Sequence, residues 1–274
     1  MPLLHILILA VVRGITEFLP IGSSGHLDLA WKVFGLAPWQ VAEPSQSDRL
    51  IISVAVYVGT LGAVCLYFWR DLWHMVVGLI RLLTGQATPG ARLALNVVIG
   101  TVPFAVVGYL LTKQITEHLY GNMQIVAWSS IGFGVLLFAA DRLGMTVRRV
   151  EHLTWIQALI VGLAQVLAFI PGTSRSGITM TAARFMGYER PEAARFSLLL
   201  SIPAILGCGA LEGLDLMKVG DVQLHAAAFV AAAIAFVMAI IAIALMLRWL
   251  RRAGFTPFVI YRIAFGAAIL IWLT

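Results

Sequence analysis

Two short strings in this chain gather the residue types that oxyanion chemistry uses. They are FLPIGSSGH at residues 18–26 and FIPGTSRSG at residues 169–177. In the second, read on as PGTSRSGIT (171–179), Gly172 and Gly177 let backbone N–H groups approach a ligand, and Thr173, Ser174, Ser176 and Thr179 add hydroxyls. A glycine-rich turn that feeds a helix N-terminus makes an anion cradle, and the helix dipole adds to it. Arg175, at the centre of that string, supplies the planar fork that grips phosphate in a bidentate way. The competing reading is that these Ser and Thr side chains only cap helices; an arginine among them points instead to an anion.

The first string carries complementary chemistry. Ser23 and Ser24 are candidate nucleophiles or phosphate donors, and His26 is a candidate general base or acid. Glu17, one helical turn before Pro20, can hold a metal or orient His26. Arg13 stands four residues before Glu17, on the same face of a helix, where the two can neutralise each other.

The elements that position these residues are those of a membrane protein. Of 274 residues, 61% are hydrophobic and only 12% charged; mean hydropathy is +0.94. A soluble domain carries about a quarter charged residues, so lipid must solvate most of this surface. Apolar stretches at about 51–69, 92–112, 123–140, 196–214, 224–249 and 256–273 reach the ~20 residues that cross a hydrocarbon core. The net charge of +6 raises the question of nucleic acid. Its basic residues (Arg70, Arg92, Arg148, Arg149, Arg248, Arg251 and Arg252) lie at segment ends, where they orient a membrane protein, and they form no basic stripe with aromatics. Cys65 and Cys208 fall in apolar spans and read as small core residues. The first twenty residues lack a basic leader and a cleavage site and are expected to remain as structure.

Two further apolar segments, about 4–35 and 155–187, are broken in the middle by the two polar strings. Proline and glycine end a helix there, and irregular backbone at bilayer depth survives only in protein or against a wet cavity. Each segment is therefore expected to be a re-entrant helix–loop–helix hairpin, and residues 71–88 an interfacial stretch. With the arginine-rich connections in the cytoplasm, the two hairpins enter from opposite faces and both termini are periplasmic. That is an inverted-topology repeat with a site near the midplane. Phe18, Pro20 and Ser23 match Phe169, Pro171 and Ser174 at one constant offset. The expected fold is an all-α polytopic membrane protein of one domain, with repeats at about 1–141 and 152–274. Ionisable groups at such depth are functional or tightly paired.

The strings EFLPIGSSGH, LAQVLAFIPGTSRSGIT, YFWRDL (67–72) and FTPFVIYRI (255–263) together resemble the undecaprenyl-diphosphatase family, the bacitracin-resistance phosphatases of the bacterial inner membrane. The resemblance implies hydrolysis of undecaprenyl diphosphate to the monophosphate carrier of cell-wall synthesis, with a divalent cation, Mg²⁺ or Ca²⁺, and a site open to the periplasm. It makes Glu17, Ser23, His26 and Arg175 the catalytic candidates. Ser24, Gly172, Thr173, Ser174, Ser176, Gly177, Thr179 and Arg13 are the candidates for holding the lipid diphosphate, and Glu17 for holding the metal. Gln165 matches the glutamine that precedes the second motif.

Three departures from the family pattern bear on the mechanism. Arg13 stands where the first Glu/Gln of an acidic pair is expected, Gly22 replaces the first loop serine, and Ser53 with Tyr57 take positions usually acidic and His/Gln. A second carboxylate would help hold a hard cation that wants several oxygens. A guanidinium ~4 Å from Glu17 instead interacts with it by about 4 kcal/mol at an effective dielectric near 20, before desolvation. It either opposes metal entry or clamps the diphosphate itself. The alternative function is accordingly a catalytically impaired homologue that binds or translocates a polyprenyl phosphate.

Overall fold

A computed structural model describes residues 3–36, 46–219 and 226–273, and among them there is no strand, only one isolated bridge between Arg148 and Tyr188. The helices run in the order α1 (Leu3–Thr16), α2 (Ser23–Leu36), α3 (Gln46–Tyr67), α4 (Trp69–Leu83), α5 (Pro89–Leu119) and α6 (Met123–Leu143). They continue with α7 (Trp155–Val166), α8 (Arg175–Phe185), α9 (Arg190–Val219), α10 (Ala226–Leu250) and α11 (Thr256–Leu273). Six of them, α3, α5, α6, α9, α10 and α11, are long and apolar enough to cross a membrane, as the hydropathy pattern predicts. Their bounds differ at the ends. Helix α5 runs on to Leu119 and α9 starts at Arg190, each passing through an internal proline, Pro103 and Pro203. A membrane helix tolerates such a break because neighbours re-satisfy the freed backbone groups.

The stretch expected at an interface is helix α4. Trp69, Trp73, Val76, Ile80 and Leu83 are exposed along it, and the Arg70 guanidinium lies over the Trp69 ring. An apolar face set against arginine and histidine suits the boundary between headgroups and acyl chains.

Helix α3 packs on α10 and α9, α6 on α11, and α5 on α7. The α3–α10 crossing is close: a Cβ added at Gly59 would stand 2.2 Å from the Ala232 carbonyl oxygen. Helix α10 offers Ala228, Ala231, Ala235, Ala239 and Ala242 as buried small residues, and dispersion between close backbones drives such pairing in lipid. At one end of the bundle the buried Asp141 carboxylate accepts from Arg184 Nε (3.3 Å), Arg190 Nε (2.6 Å) and the Phe255 N–H (3.1 Å). The wholly buried Arg184 also donates to the carbonyls of Asp141, Gly144, Met145 and Tyr188. This node ties the end of α8 to α6 and to the start of α11.

The two polar strings form the turns between α1 and α2 and between α7 and α8. These helices have 14, 14, 12 and 11 residues; at 1.5 Å per residue each is ~21 Å or shorter, less than the ~30 Å of a hydrocarbon core. The turns meet tip to tip. Ser176 Oγ donates to the Leu19 carbonyl at 2.9 Å, and Gly172 N–H donates to Ser24 Oγ at 3.3 Å. Gly22 and Gly172 both have positive φ, +89° and +87°, and face each other. Their surroundings differ. A Cβ at Gly172 would meet Ser129 Oγ at 2.3 Å and the Val126 carbonyl at 2.5 Å, whereas one at Gly22 meets nothing nearer than 3.3 Å.

Gly172→Ala should therefore combine backbone strain with a hard clash against α6, and Gly22→Ala strain alone, about 1–2 kcal/mol. Thermal unfolding in detergent is expected to show a clearly larger loss for Gly172→Ala; equal losses would show that the turns are not packed this way.

Candidate active site

Helix α1 ends at Thr16, but the Glu17 N–H still bonds the Arg13 carbonyl at 2.9 Å. The chain then turns through Pro20, so the Glu17 carboxylate is left at the junction of the two hairpins. Its Oε1 accepts from Arg175 Nη2 at 2.9 Å, and its Oε2 accepts from Ser23 Oγ at 2.9 Å. Arg13 Nε stands 3.8 Å from the same Oε2. One carboxylate is thus shared by two guanidiniums and one serine hydroxyl. The side chains of Glu17, Arg13 and Arg175 are 9%, 14% and 14% exposed, dry enough for these contacts to be strong yet open on one side.

That side is a cleft of about 360 Å³. Arg13, Glu17, Ser23, Ser24, Ser174 and Arg175 form its polar wall. Ser23 and Ser24 open α2 and Arg175 opens α8, so two helix N-termini abut the same space. Each contributes roughly half a positive charge and unpaired N–H groups. Leu27, Phe104, Phe169, Ala204 and Ile205 make the rest of the lining largely apolar, with the Phe104 and Phe169 rings stacked at 4.5 Å. Asp28 and Glu212 also line it, each with one buried carboxylate oxygen that lacks a hydrogen-bond partner.

Of the residues expected from sequence, Glu17, Ser23, Arg175, Ser24, Ser174 and Arg13 come together here. Ser174 and the remaining residues of the second string serve the turn. Ser174, held at φ +70°, caps α8 by accepting from the Gly177 N–H. Thr179 bonds back to the Arg175 carbonyl and shares a hydrogen bond with Ser197 at 2.6 Å. Gly172, Thr173, Ser176 and Gly177 pack beneath the cleft, and the Thr173 hydroxyl, like the Gln165 amide nitrogen, is buried without a partner. The capping reading therefore holds for Ser174, whereas Arg175 and the start of α8 face the cleft.

His26 is placed off the cleft. Its Nδ1–H donates to the Gly22 carbonyl at 2.5 Å, which leaves Nε2 to accept from the Tyr261 hydroxyl at 2.7 Å. The ring also stacks on Phe265. Both nitrogens are occupied, and the Ser23 hydroxyl donates its hydrogen bond to Glu17.

Several residues that sequence reasoning passed over complete the site. Arg262, fully buried, donates Nη1 to the Pro20 carbonyl (3.3 Å), Nη2 to that of Gly172 (2.9 Å) and Nε to that of Ser130 (3.1 Å). The Ser201 carbonyl accepts from Arg175 Nη1 at 3.1 Å. Arg262 lies within the FTPFVIYRI string, where an arginine inside an apolar run is the signal that could have marked it.

The divalent cation implied by the resemblance does not fit the groups at Ser23. Mg²⁺ or Ca²⁺ needs several free oxygens. Both oxygens of Glu17 are already engaged, and two guanidiniums flank it. Asp28 and Glu212 line the same cleft with one unpartnered oxygen each, but among the described residues no three His, Cys, Asp or Glu side chains converge as a metal site.

Comparison with known proteins agrees with the motifs. The family model described as bacitracin resistance protein BacA matches residues 6–268. Undecaprenyl-diphosphatase 1 of Rhodospirillum rubrum is 51% identical over 98% of this chain and 95% of its own. The undecaprenyl-diphosphatases of Ruegeria pomeroyi and Hahella chejuensis are each 46% identical, over 98% of both chains. With the match covering nearly every helix and both polar turns, the chain belongs to the bacitracin resistance protein BacA family.

Proposed function

We propose that this chain hydrolyses undecaprenyl diphosphate to undecaprenyl phosphate and inorganic phosphate, which recycles the lipid carrier of cell-wall synthesis and gives resistance to bacitracin. The observation that carries this reading is the Ser23 hydroxyl hydrogen-bonded to Glu17 at a cleft where two helix N-termini and two guanidiniums converge. The names of the full-length relatives support it, and none of those compared favours a binding or translocating homologue.

The chemistry follows from the placement. The diphosphate lies against Arg175, Arg13 and the starts of α2 and α8, and its isoprenoid chain leaves along Leu27, Phe104, Phe169 and Ile205. Phosphate oxygens draw the two guanidiniums from Glu17, which frees the carboxylate to take the Ser23 proton. Ser23 Oγ attacks the terminal phosphorus, and the bond from that phosphorus to the bridging oxygen breaks, releasing undecaprenyl phosphate. Glu17 passes that proton to the departing bridging oxygen, and the freed carboxylate then takes a proton from the water that attacks the phosphoserine, which releases inorganic phosphate and returns the Ser23 hydroxyl. Phosphoryl transfer needs mainly positioning and charge neutralisation, which these groups supply. His26 and Tyr261 hold the start of α2 and its serines in place.

The same reading places the protein in the bacterial inner membrane. Hairpins α1–α2 and α7–α8 enter from opposite faces as the two halves of an inverted repeat in one domain, with both termini in the periplasm. The charge bias of the connections and the tip-to-tip turns support this arrangement.

Purified protein should release phosphate from undecaprenyl diphosphate, and absence of release across conditions would overturn the reading. Ser23→Ala and Glu17→Gln should each lower the rate by about 10²–10⁴-fold, the range of a lost proton acceptor or its partner. Arg175→Lys keeps the charge but loses the fork, and should cost about 10²–10³-fold. His26→Gln should cost far less than Glu17→Gln. The reverse order would move the proton transfer to His26.

A further inference from the structure

The positions where the sequence departs from the family pattern beside the first turn, Arg13, Ser53 and Tyr57, form a single contact set. The Arg13 guanidinium lies over the Tyr57 ring at 3.8 Å from its centroid, and Nη1 donates to Ser53 Oγ at 3.1 Å. Nε, 3.8 Å from Glu17 Oε2, is buried and has no hydrogen-bond partner. A guanidinium that had merely displaced a carboxylate would keep its charge and its freedom. This one is fixed by a ring below, a hydroxyl at one end and a carboxylate at the side. Tyr57 spreads the positive charge over an aromatic face. Ser53, unlike a carboxylate, orients the fork without neutralising it.

The direction of that fork is informative. Arg13 and Arg175 approach the two different oxygens of Glu17, one each. A carboxylate between two guanidiniums occupies the place that a diphosphate would take between the same pair. The unpartnered Nε–H of Arg13 is a buried donor beside the cleft, and a buried donor without an acceptor is costly until one arrives. A phosphate oxygen supplies it.

We propose that Arg13, held by Ser53 and Tyr57, takes over the charge-neutralising place of a divalent cation on the lipid diphosphate, so that this phosphatase works without a divalent metal. The inference rests on the phosphatase reading above. It makes Arg13 a substrate-contacting residue, and Ser53 and Tyr57 positioning residues. A guanidinium has no hydration shell of tightly held waters to shed and offers paired, directed donors. It can therefore neutralise phosphate beside a carboxylate whose two oxygens are already engaged.

The test uses purified full-length protein. Phosphate release from undecaprenyl diphosphate is measured in excess chelator and across a range of Mg²⁺ and Ca²⁺, and Mn²⁺ binding is followed by electron paramagnetic resonance. The rate in chelator is expected within about twofold of the best rate with metal, since no metal step limits it, and no Mn²⁺ should bind at the site. Arg13→Gln should lower kcat/KM by about 10²–10³-fold in chelator, while Tyr57→Leu and Ser53→Ala raise KM more than they lower kcat. Arg13→Glu should bind Mn²⁺ and make release depend on metal. Wild-type protein that loses activity in chelator, or that binds Mn²⁺ in competition with Mg²⁺, overturns the inference and leaves the phosphatase reading standing. Protein inactive with and without metal overturns both. The two wild-type measurements decide the matter even where a variant fails to fold.

Discussion

The structure depends on what happens to backbone carbonyls when two helices are broken inside an apolar bundle. Each turn frees carbonyls that have no water to turn to, and an unpaired one in hydrocarbon costs several kcal/mol. Arg262 answers this at a single point. Its three nitrogens donate to carbonyls of Pro20, Gly172 and Ser130, one from each turn and one from α6. No carboxylate accompanies it in these contacts; three carbonyl dipoles take the place of a counter-ion. The planar fork matters here, since a lysine ammonium of the same charge could not reach three directions from a fixed plane. By pinning both turns, Arg262 brings the starts of α2 and α8 to one place, and the positive end of each helix follows.

The charges of the bundle sort into nodes with different work. Asp141, with Arg184, Arg190 and the Phe255 N–H, is itself buried and joins α6, α8 and α11, with Arg190 reaching the surface. Glu17 has a similar number of partners but faces a cleft. Burial separates the two: the Asp141 and Arg184 side chains are 3% and 0% exposed, against 9% for Glu17 with arginines at 14%. A buried node gains from permanence. An open one can exchange partners, which is what a site for an anion requires.

Much of this was legible in the sequence, and the reasons are local. Proline clustered with glycine and hydroxyl residues inside an apolar segment marks a broken helix, whereas the lone Pro103 and Pro203 are carried within α5 and α9; both turns and all six long helices could thus be placed, with errors only at ends such as α5 beyond residue 112. Arg175 and Glu17 stood out because ionisable groups in apolar sequence need a reason. The proton partner of Ser23 did not follow from spacing. His26 lies three residues on, near in any helix, but α2 begins at Ser23 and its first turn sends His26 toward Gly22, Tyr261 and Phe265. Glu17 reaches Ser23 only because the chain doubles back through Pro20. Arg262, far from either turn in sequence, is joined to them by tertiary packing alone.

The resting contacts of Glu17 also explain how so charged a cleft can exist before substrate arrives. Two guanidiniums held close with nothing between them would repel each other in a medium that screens poorly. Glu17 lies between them, one oxygen to each, and keeps both aimed at a shared point. Little reorganisation is then needed when phosphate enters, which is where a preorganised site gains over solvent. The same arrangement couples binding to reactivity. The carboxylate that keeps the arginines in place is the one bonded to Ser23, so in the proposed reaction it is relieved of its cations by the ligand that the serine attacks. On that proposal Glu17 stays committed to the arginines until phosphate arrives, and substrate itself assembles the base.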